Sequence, residues 1–170
     1  MILDIFYPDR CEPSAYTIDY EKLYGSGVRG IIFDIDNTLV EHGAPATDRA
    51  VKLFERIHGT GIDTCLISNN KEPRVAPFAL AVASRYVADA HKPSKANYIK
   101  AMELMGTDTA STVFIGDQLF TDVFGASRCG IYSILVEPID PKEEIQIVFK
   151  RRLERIVLYF YRKSLKKEGI

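Results

Sequence analysis

Cysteine is scarce in this sequence, and its three cysteines are isolated from one another. Cys11, Cys65 and Cys129 form no CxxC pair, and their number is odd. The disulfide frameworks of small secreted proteins and cysteine-based zinc sites use even or clustered cysteines. The sequence therefore argues against both, and it favours free thiols in a reducing compartment.

The sequence also lacks long hydrophobic runs and a recognisable leader. Its uninterrupted apolar runs fall far short of the roughly 18 residues of a membrane-spanning helix. The start, MILDIFYPDR, has neither the basic nor the apolar segment of a signal peptide. With 46% hydrophobic and 26% charged residues, the 170 residues predict one globular domain in the cytoplasm.

Charge is unevenly distributed although the net charge is only −1. Residues 150–170 carry eight Lys or Arg and two Glu, which leaves an excess of acidic residues in the rest of the chain. A basic segment attached to an acidic body indicates an anionic partner near the C-terminus. We expect no nucleic-acid partner, and the sequence predicts no oligomeric state.

The basic segment has the periodicity of an amphipathic helix. Its apolar stripe consists of Ile145, Phe149, Leu153, Ile156 and Phe160, and its row of cations consists of Arg151, Arg155, Arg162 and Lys166. Such a helix is typical of proteins that lie on an anionic membrane surface. The alternative is that the stripe packs on the protein's own sheet while the cations face water.

Apolar, β-branched runs alternate with helical stretches between residues 30 and 136. Strands are predicted at 30–33, 62–67, 86–87, 112–115 and 132–136, and helices at 48–58, within 73–84, at 94–105 and at 119–128. This alternation predicts a Rossmann-like, three-layer α/β sandwich around a parallel sheet. In this plan residues 1–28 form an N-terminal arm, 29–140 a catalytic core and 141–170 the C-terminal basic amphipathic helix.

Polar residues follow each of the predicted central strands. They are Asp34, Asp36 and Thr38, then Ser68, Asn69 and Asn70, then His91 and Lys92, and finally Gly116, Asp117 and Asp122. Ligands of open parallel sheets bind beyond the carboxyl ends of the strands, where these residues should meet. Neighbouring carboxylates repel unless a cation compensates them, and magnesium with a phosphate group suits oxygen ligands of this kind. Taken singly, however, the first cluster fits an ordinary turn, Asn70 fits a helix cap, and His91 fits a plain loop.

Four short motifs in this order resemble those of a known enzyme superfamily. DIDNT at 34–38, SNN at 68–70, Lys92 with Pro93, and GDQLFTD at 116–122 are similar to the motifs of haloacid dehalogenase (HAD) phosphatases. The resemblance covers about residues 30–136. The last motif and the basic segment resemble most the capless subfamily III type and, within it, the phosphatidylglycerophosphate phosphatases.

The resemblance implies a two-step phosphoryl transfer by a pair of aspartates. Asp34 would be the nucleophile and would form an aspartyl-phosphate. Asp36 would be the general acid for the leaving alcohol and then the base for the hydrolytic water. In the superfamily the position of Asp36 also supplies its backbone carbonyl to magnesium.

The remaining motif residues receive binding roles from the same resemblance. Asp117 would bind magnesium, and Asp122 would ligate the metal or hold its water. Ser68 and the Asn69 amide would bind the phosphoryl oxygens, and Lys92 would neutralise charge on the nucleophile and on the transferring group.

The spacing of the motifs leaves no room for a cap domain over the site. Only 29 residues separate Thr38 from Ser68 and only 21 separate Asn70 from Lys92, whereas a cap domain needs about 50 or more. An open site suits a phosphate on a lipid head group, a protein side chain or a nucleic-acid end. We expect phosphatidylglycerophosphate as substrate and peripheral membrane association, with a phosphatase of proteins or small soluble phosphates, or an inactive binding module, as the alternatives.

Overall fold

Six parallel strands form the centre of the molecule. The computed structural model describes the backbone of residues 2–140 and 145–168, and the side chains of 4–140 and 152–166. The strands are β1 (Arg10–Glu12), β2 (Gly30–Phe33), β3 (Asp63–Ile67), β4 (Arg85–Val87), β5 (Thr112–Gly116) and β6 (Tyr132–Val136). Their order is β1-β6-β5-β2-β3-β4, and every neighbouring pair is parallel. The predicted α/β class with a parallel sheet is confirmed.

Helices connect the strands and cover both faces of the sheet. They are α1 (Tyr20–Gly25), α2 (Asp48–Gly59), α3 (Glu72–Ala81), α4 (Lys95–Met105), α5 (Phe124–Cys129) and α6 (Ile145–Glu168). The Thr47 side chain caps α2 by accepting a hydrogen bond from the Ala50 N–H, and Gly106 ends α4 in the left-handed conformation. Helix α3 begins at Glu72 and continues through Pro77 to Ala81.

The central strand β2 divides the core into two halves by simple alternation. Ile31 and Phe33 point to the side covered by α1, α2 and α3, where Phe33 packs against Phe54. Ile32 points to the opposite side, covered by α4 and α5 and occupied by Tyr98 among others. Every residue of β2 is buried, because helices cover both faces of the sheet.

The N-terminal segment contributes more to the fold than a packed arm. Residues 10–12 form β1, which extends the sheet by pairing with β6, and a short helix, α1, follows. Tyr20 of that helix is fully buried and donates its hydroxyl hydrogen bond to the Ala15 carbonyl at 2.6 Å. The predicted N-terminal arm therefore includes an edge strand and part of the core.

The side of α6 that packs on the protein is not the side that carries its apolar stripe. Glu154 and Val157 are buried, whereas the stripe residues Leu153, Ile156 and Phe160 are 43%, 54% and 42% exposed. The alternative in which the stripe packs on the sheet is therefore wrong for these three residues. The side chains of Ile145, Phe149 and Arg151 lie outside the described ones.

The three cysteines are free thiols, as the sequence predicts. Cys11 is exposed, Cys65 is buried and Cys129 is half-buried. Among the helices that the structure describes, none combines the length and the apolar character needed to cross a membrane.

Candidate active site

The carboxyl ends of β2, β3 and β5 bring the predicted motif residues to one edge of the sheet. Asp34 follows β2 directly, and its backbone N–H donates to the Ile115 carbonyl of β5 at 3.0 Å. Asp117 follows β5, and both carboxylates are almost fully buried. Asn37 adopts a left-handed backbone (φ 63°), which an asparagine tolerates and which turns the chain back after β2.

Lys92 contacts two carboxylates of the site, those of Asp34 and Asp122. Its ammonium donates to Asp34 Oδ1 at 2.5 Å and to Asp122 Oδ1 at 2.7 Å, with a side chain only 5% exposed. Burial by itself lowers the pKa of Lys92, but the carboxylates of Asp122 and Asp34 raise it well above its ordinary value. Lys92 is therefore a permanent positive charge in contact with the predicted nucleophile.

Asp34, Asp117 and Asp122 form a cluster suited to a divalent cation. One carboxylate oxygen of each lies within 4.8 Å of the others, and all three residues are buried. Burial raises the pKa of Asp34 to about 6, although the Lys92 ammonium acts in the opposite direction. The single charge of Lys92 does not neutralise three buried carboxylates, so a hard cation with oxygen preference fits the donor set and the charge.

The Thr38 hydroxyl lies between two members of this cluster. Its oxygen is 3.4 Å from Asp34 Oδ2 and 3.3 Å from Asp117 Oδ1, and the residue is buried. The turn 34–38 therefore directs a donor back at the nucleophile. This contact disfavours the interpretation of Thr38 as an ordinary loop residue.

Asp36 lies outside the three-carboxylate cluster and has a separate set of donors. Asn70 Nδ2 donates to Asp36 Oδ2 at 2.6 Å, while Arg74 Nη2 and the Gly43 amide donate to Oδ1 at 3.0 and 2.8 Å. The prediction that Asn70 caps α3 was wrong, because Lys71 is the N-cap residue. The side-chain amide of Asn70 instead orients the predicted acid–base residue.

The phosphate-binding residues predicted from the second motif occupy different environments. Ser68 is buried, and its hydroxyl accepts hydrogen bonds from the Asn70 backbone amide at 3.1 Å and from its side chain at 3.3 Å. Asn69 is exposed, and its side-chain oxygen accepts from the Lys92 backbone N–H at 2.6 Å. Asn69 thus connects the loop after β3 to the loop that carries Lys92. His91 is 77% exposed in that loop and does not belong to the carboxylate cluster.

Asp122 is held in place by close packing around the last motif. A Cβ on Gly116 would lie 2.5 Å from Asp122 Oδ2, so only glycine allows this carboxylate to fold back on β5. The Tyr98 hydroxyl donates to the Thr121 carbonyl at 2.8 Å, and Gly125 makes the space for the tyrosine ring. These contacts fix the backbone on which Asp122 sits.

Several residues of the site were missed by reasoning from the sequence. Arg74, Tyr98 and Glu154 contact the motif residues from helices far along the chain, and no local pattern marks them. Glu154 of α6 accepts a hydrogen bond from the Leu119 amide at 2.9 Å, within the last motif. Asn70 lies within the second motif, so the sequence indicates that it belongs to the site. The sequence does not indicate that its side chain contacts Asp36.

Comparison with known proteins places this site in a family. Residues 89–138 match the model of the HAD-hydrolase-like family. The Bacillus subtilis (strain 168) protein named probable phosphatase YqeG is 37% identical over 170 residues, covering 99% of this chain and 96% of that protein. Phosphatidylglycerophosphate phosphatase 1, chloroplastic/mitochondrial, of Arabidopsis thaliana is 27% identical over 167 residues, covering 88% of this chain but 46% of that protein.

Solved structures agree with the fold. The Legionella pneumophila protein named putative HAD superfamily (subfamily III A) hydrolase superposes with a TM-score of 0.55 at 14% identity, over 71% of each chain. The two intervals where a cap domain would be inserted, 39–67 and 71–91, are fully described here and hold only α2 with β3 and α3 with β4. The four motifs, the shared edge of the sheet and the near full-length relative lead to one conclusion: the chain belongs to the HAD superfamily, among its capless phosphatases.

Proposed function

We propose that this protein is a magnesium-dependent phosphomonoesterase that converts phosphatidylglycerophosphate to phosphatidylglycerol through an aspartyl-phosphate. The observation that carries the proposal is the position of Asp34. Its buried carboxylate contacts the ammonium of Lys92 and lies in a cluster with Asp117 and Asp122. A carboxylate in such a position is available as a nucleophile, provided that positive charge keeps it ionised.

In the first step an Asp34 oxygen attacks the phosphorus of the monoester. The bond between phosphorus and the leaving alcohol oxygen breaks, and Asp36 donates a proton to that oxygen. The developing charge on the transferring group faces Lys92, Ser68 and the Asn69 amide. Arg74 and Asn70 keep the Asp36 carboxyl group oriented during the transfer.

In the second step water releases the phosphate. Asp36, now ionised, takes a proton from the water, whose oxygen attacks the phosphorus. The bond between phosphorus and Asp34 breaks, and the carboxylate of Asp34 is restored. Asp36 therefore acts on both sides of the intermediate, which requires a carboxyl group that is close to Asp34 but distinct from the metal cluster.

Magnesium would be held by the carboxylates of Asp34 and Asp117, with Asp122 as a direct ligand or as the holder of a bound water. The backbone carbonyl of Asp36 is the further ligand that the superfamily resemblance suggests. Bound magnesium would supply positive charge to the phosphoryl oxygens. The carboxylate oxygens and their burial support this choice over softer metals, which favour thiolate and imidazole ligands.

The lipid substrate is supported by the openness of the site and by one relative. Without a cap, the edge of the sheet leaves access to a phosphate displayed on a large structure. The plant relative is named as a phosphatidylglycerophosphate phosphatase, and the chain matches about half of its length. A protein-bound or small soluble phosphate is the competing substrate class.

Attachment of the protein to an anionic membrane through α6 is part of the same proposal. Leu153, Ile156, Tyr159 and Phe160 leave an exposed apolar surface on this helix, and Tyr159 is 63% exposed. Lys163 and Lys166 are also exposed on the helix. Each cation near an anionic surface contributes about 1 kcal/mol, and apolar side chains add burial in the interface.

A substrate comparison tests the proposed activity. Phosphate release would be measured from phosphatidylglycerophosphate in vesicles, from glycerol 3-phosphate and from a phosphoserine peptide, each with and without magnesium. We expect magnesium-dependent release that is fastest with the lipid. Faster turnover of the peptide or of glycerol 3-phosphate would overturn the lipid assignment, and no turnover of any substrate would overturn the phosphatase mechanism.

Vesicle co-sedimentation tests the membrane contact of α6. The wild type should bind vesicles containing anionic lipid, lose binding in high salt, and bind neutral vesicles poorly. Binding should fall in the pair I156S/F160S and in the pair K163E/K166E. The matched control is L80S, because Leu80 is 84% exposed but lies on α3. Binding that is indifferent to lipid charge, salt and both pairs would contradict the proposal.

A further inference from the structure

A second cavity adjoins the candidate active site on the side of α6. Its volume is about 630 Å³, and Asp117, a member of the carboxylate cluster, forms part of its wall. It lies beyond the carboxyl ends of β1 and β6 and is bounded by α6. The proposed transfer of a single phosphoryl group leaves this space unused.

Three arginines of α6 line this cavity: Arg152, Arg155 and Arg162. Among the side chains that the structure describes, no carboxylate forms an ion pair with any of them. A cavity with three guanidinium groups is suited to an anion, since each group can donate two parallel hydrogen bonds to a phosphate.

The carboxylates in the wall of the cavity do not cancel this positive charge. Glu12 pairs with Arg10, and the buried Glu154 accepts the hydrogen bond of the Leu119 amide. Asp117 belongs to the cluster that fits a divalent cation. Glu137 is exposed. The arginines therefore remain available to a ligand.

Contacts beneath α6 fix the arginines beside the active site. Glu154 bonds to the Leu119 amide, and Val157 packs with Leu119 and Val123 in a small apolar cluster. Leu119 and Val123 belong to the segment Leu119–Val123, which also carries Asp122. The distance between the arginines and the catalytic carboxylates is thus set by direct packing rather than by a loop.

The rest of the cavity wall is largely apolar. Leu119, Leu135, Val136, Pro138 and Leu158 contribute to it. An inorganic ion alone would leave this apolar surface in contact with water. A phosphodiester, which has a carbon substituent on two of its oxygens, would contact the arginines through its phosphate and the apolar wall through its carbon substituents.

We propose that this cavity binds the phosphodiester of the substrate while Asp34 attacks its phosphomonoester. This inference rests on the proposed function, and it identifies the substrate class as a phosphomonoester joined through a short alcohol to a phosphodiester. Arg152, Arg155 and Arg162 are the specificity-determining residues. They contact the part of the substrate that does not react.

A matched pair of soluble substrates tests the subsite without a membrane. Glycerophosphoglycerol phosphate and glycerol 3-phosphate present the same kind of monoester, and only the first carries a phosphodiester. The wild type should prefer the first. The variant R152A/R155A should lose about 10²- to 10⁴-fold in kcat/KM for it, because it removes two charge-assisted hydrogen bonds that contribute about 1.5–3 kcal/mol each, and 1.4 kcal/mol is tenfold. Its kcat/KM for glycerol 3-phosphate should stay within about twofold.

The control variant is K52A, which removes an exposed cation of α2 that does not line the cavity. It should leave both substrates unaffected. Equal losses of R152A/R155A on both substrates, or no loss on either, would overturn the subsite. If the wild type hydrolyses neither compound, the vesicle assay decides the proposed function, and the subsite is judged by binding alone.

Isothermal titration calorimetry tests the subsite through binding of glycerophosphoglycerol. This compound has the phosphodiester but no phosphomonoester. The wild type and K52A should bind it, and R152A/R155A should bind at least tenfold more weakly. Absent binding, or binding that the arginine substitutions do not weaken, would overturn the proposal. Inorganic phosphate serves as the competitor: if it displaces glycerophosphoglycerol at equal concentration, the cavity binds phosphate in general and the diester assignment is overturned.

Discussion

Two aspartates that are two residues apart have different partners, and this difference supports their different proposed roles. Asp34 is buried against Lys92 and belongs to the three-carboxylate cluster, whereas Asp36 is held by Arg74 and Asn70. A nucleophile needs compensating positive charge, and an acid–base group needs a fixed orientation and freedom from the metal. Pairs of carboxyl groups with contrasting environments are a recurrent basis for such assignments.

At this scale we predict the behaviour of D36N. Turnover of an alkyl phosphate should fall by about 10²- to 10⁴-fold, the range typical for loss of a general acid–base group. With p-nitrophenyl phosphate the leaving group needs no proton, so the first step should survive while the second is slow. Rapid-mixing kinetics should therefore show a burst of about one p-nitrophenolate per active site, followed by slow turnover. Near wild-type steady-state rates would contradict the role of Asp36.

At the scale of elements, a buried hydrogen bond connects α6 to the segment that carries Asp122. Glu154 bonds to the Leu119 amide, in the π-helix Leu119–Val123 that carries Asp122. On the opposite side of this segment Tyr98 of α4 contacts the Thr121 carbonyl. The position of Asp122 therefore depends on two helices that are distant from it in sequence.

We predict that E154A lowers stability, because it leaves the Leu119 amide buried without an acceptor. Such an orphaned donor costs about 1–3 kcal/mol, measured as a decrease in the free energy of unfolding in urea. E154Q keeps an acceptor oxygen and should lose less. E55A is the control, since Glu55 is exposed on α2. If E154A unfolds at the same urea concentration as E55A, the hydrogen bond does not anchor α6.

The sequence predicts the elements that carry strong local signals. The runs of β2, β3 and β5 end in buried apolar residues and lead directly into polar motif residues, so both the strands and the site could be located. Strand β1 has only three residues with no run of its own, and its place depends on pairing with the distant β6. The buried face of α6 could not be predicted, because a glutamate occupies it, whereas the regular apolar stripe visible in the sequence is exposed.

Side-chain contacts between residues that are distant in sequence could not be predicted either. The motif pattern marks Asp34, Asp36, Lys92 and Asp117, since each follows a strand at the same edge. It does not mark Arg74, whose contact with Asp36 depends on the direction in which α3 leaves the sheet. Long-range partners of this kind are set by tertiary packing rather than by local residue order.

At the scale of the whole molecule, the parallel sheet brings three buried carboxylates together at one edge, and Lys92 compensates only part of their negative charge. Metal binding should therefore stabilise the native protein, because the unfolded chain has no such cluster. We predict that magnesium raises the thermal midpoint of the wild type, by an amount that grows with concentration, and that D117N loses most of this rise. EDTA should stop turnover, magnesium should restore it, and calcium should substitute poorly because it prefers longer bonds and more ligands. Full activity in metal-free buffer would contradict the magnesium site.

The central claim is that Asp34 is the nucleophile of a magnesium-dependent phosphatase, and D34N tests it most directly. The substitution is nearly isosteric, so circular dichroism and the unfolding midpoint should show that the fold is retained. Phosphate release from phosphatidylglycerophosphate vesicles in magnesium should be abolished in D34N and rapid in the wild type. Near wild-type, magnesium-dependent release by a folded D34N would contradict the mechanism proposed for this site.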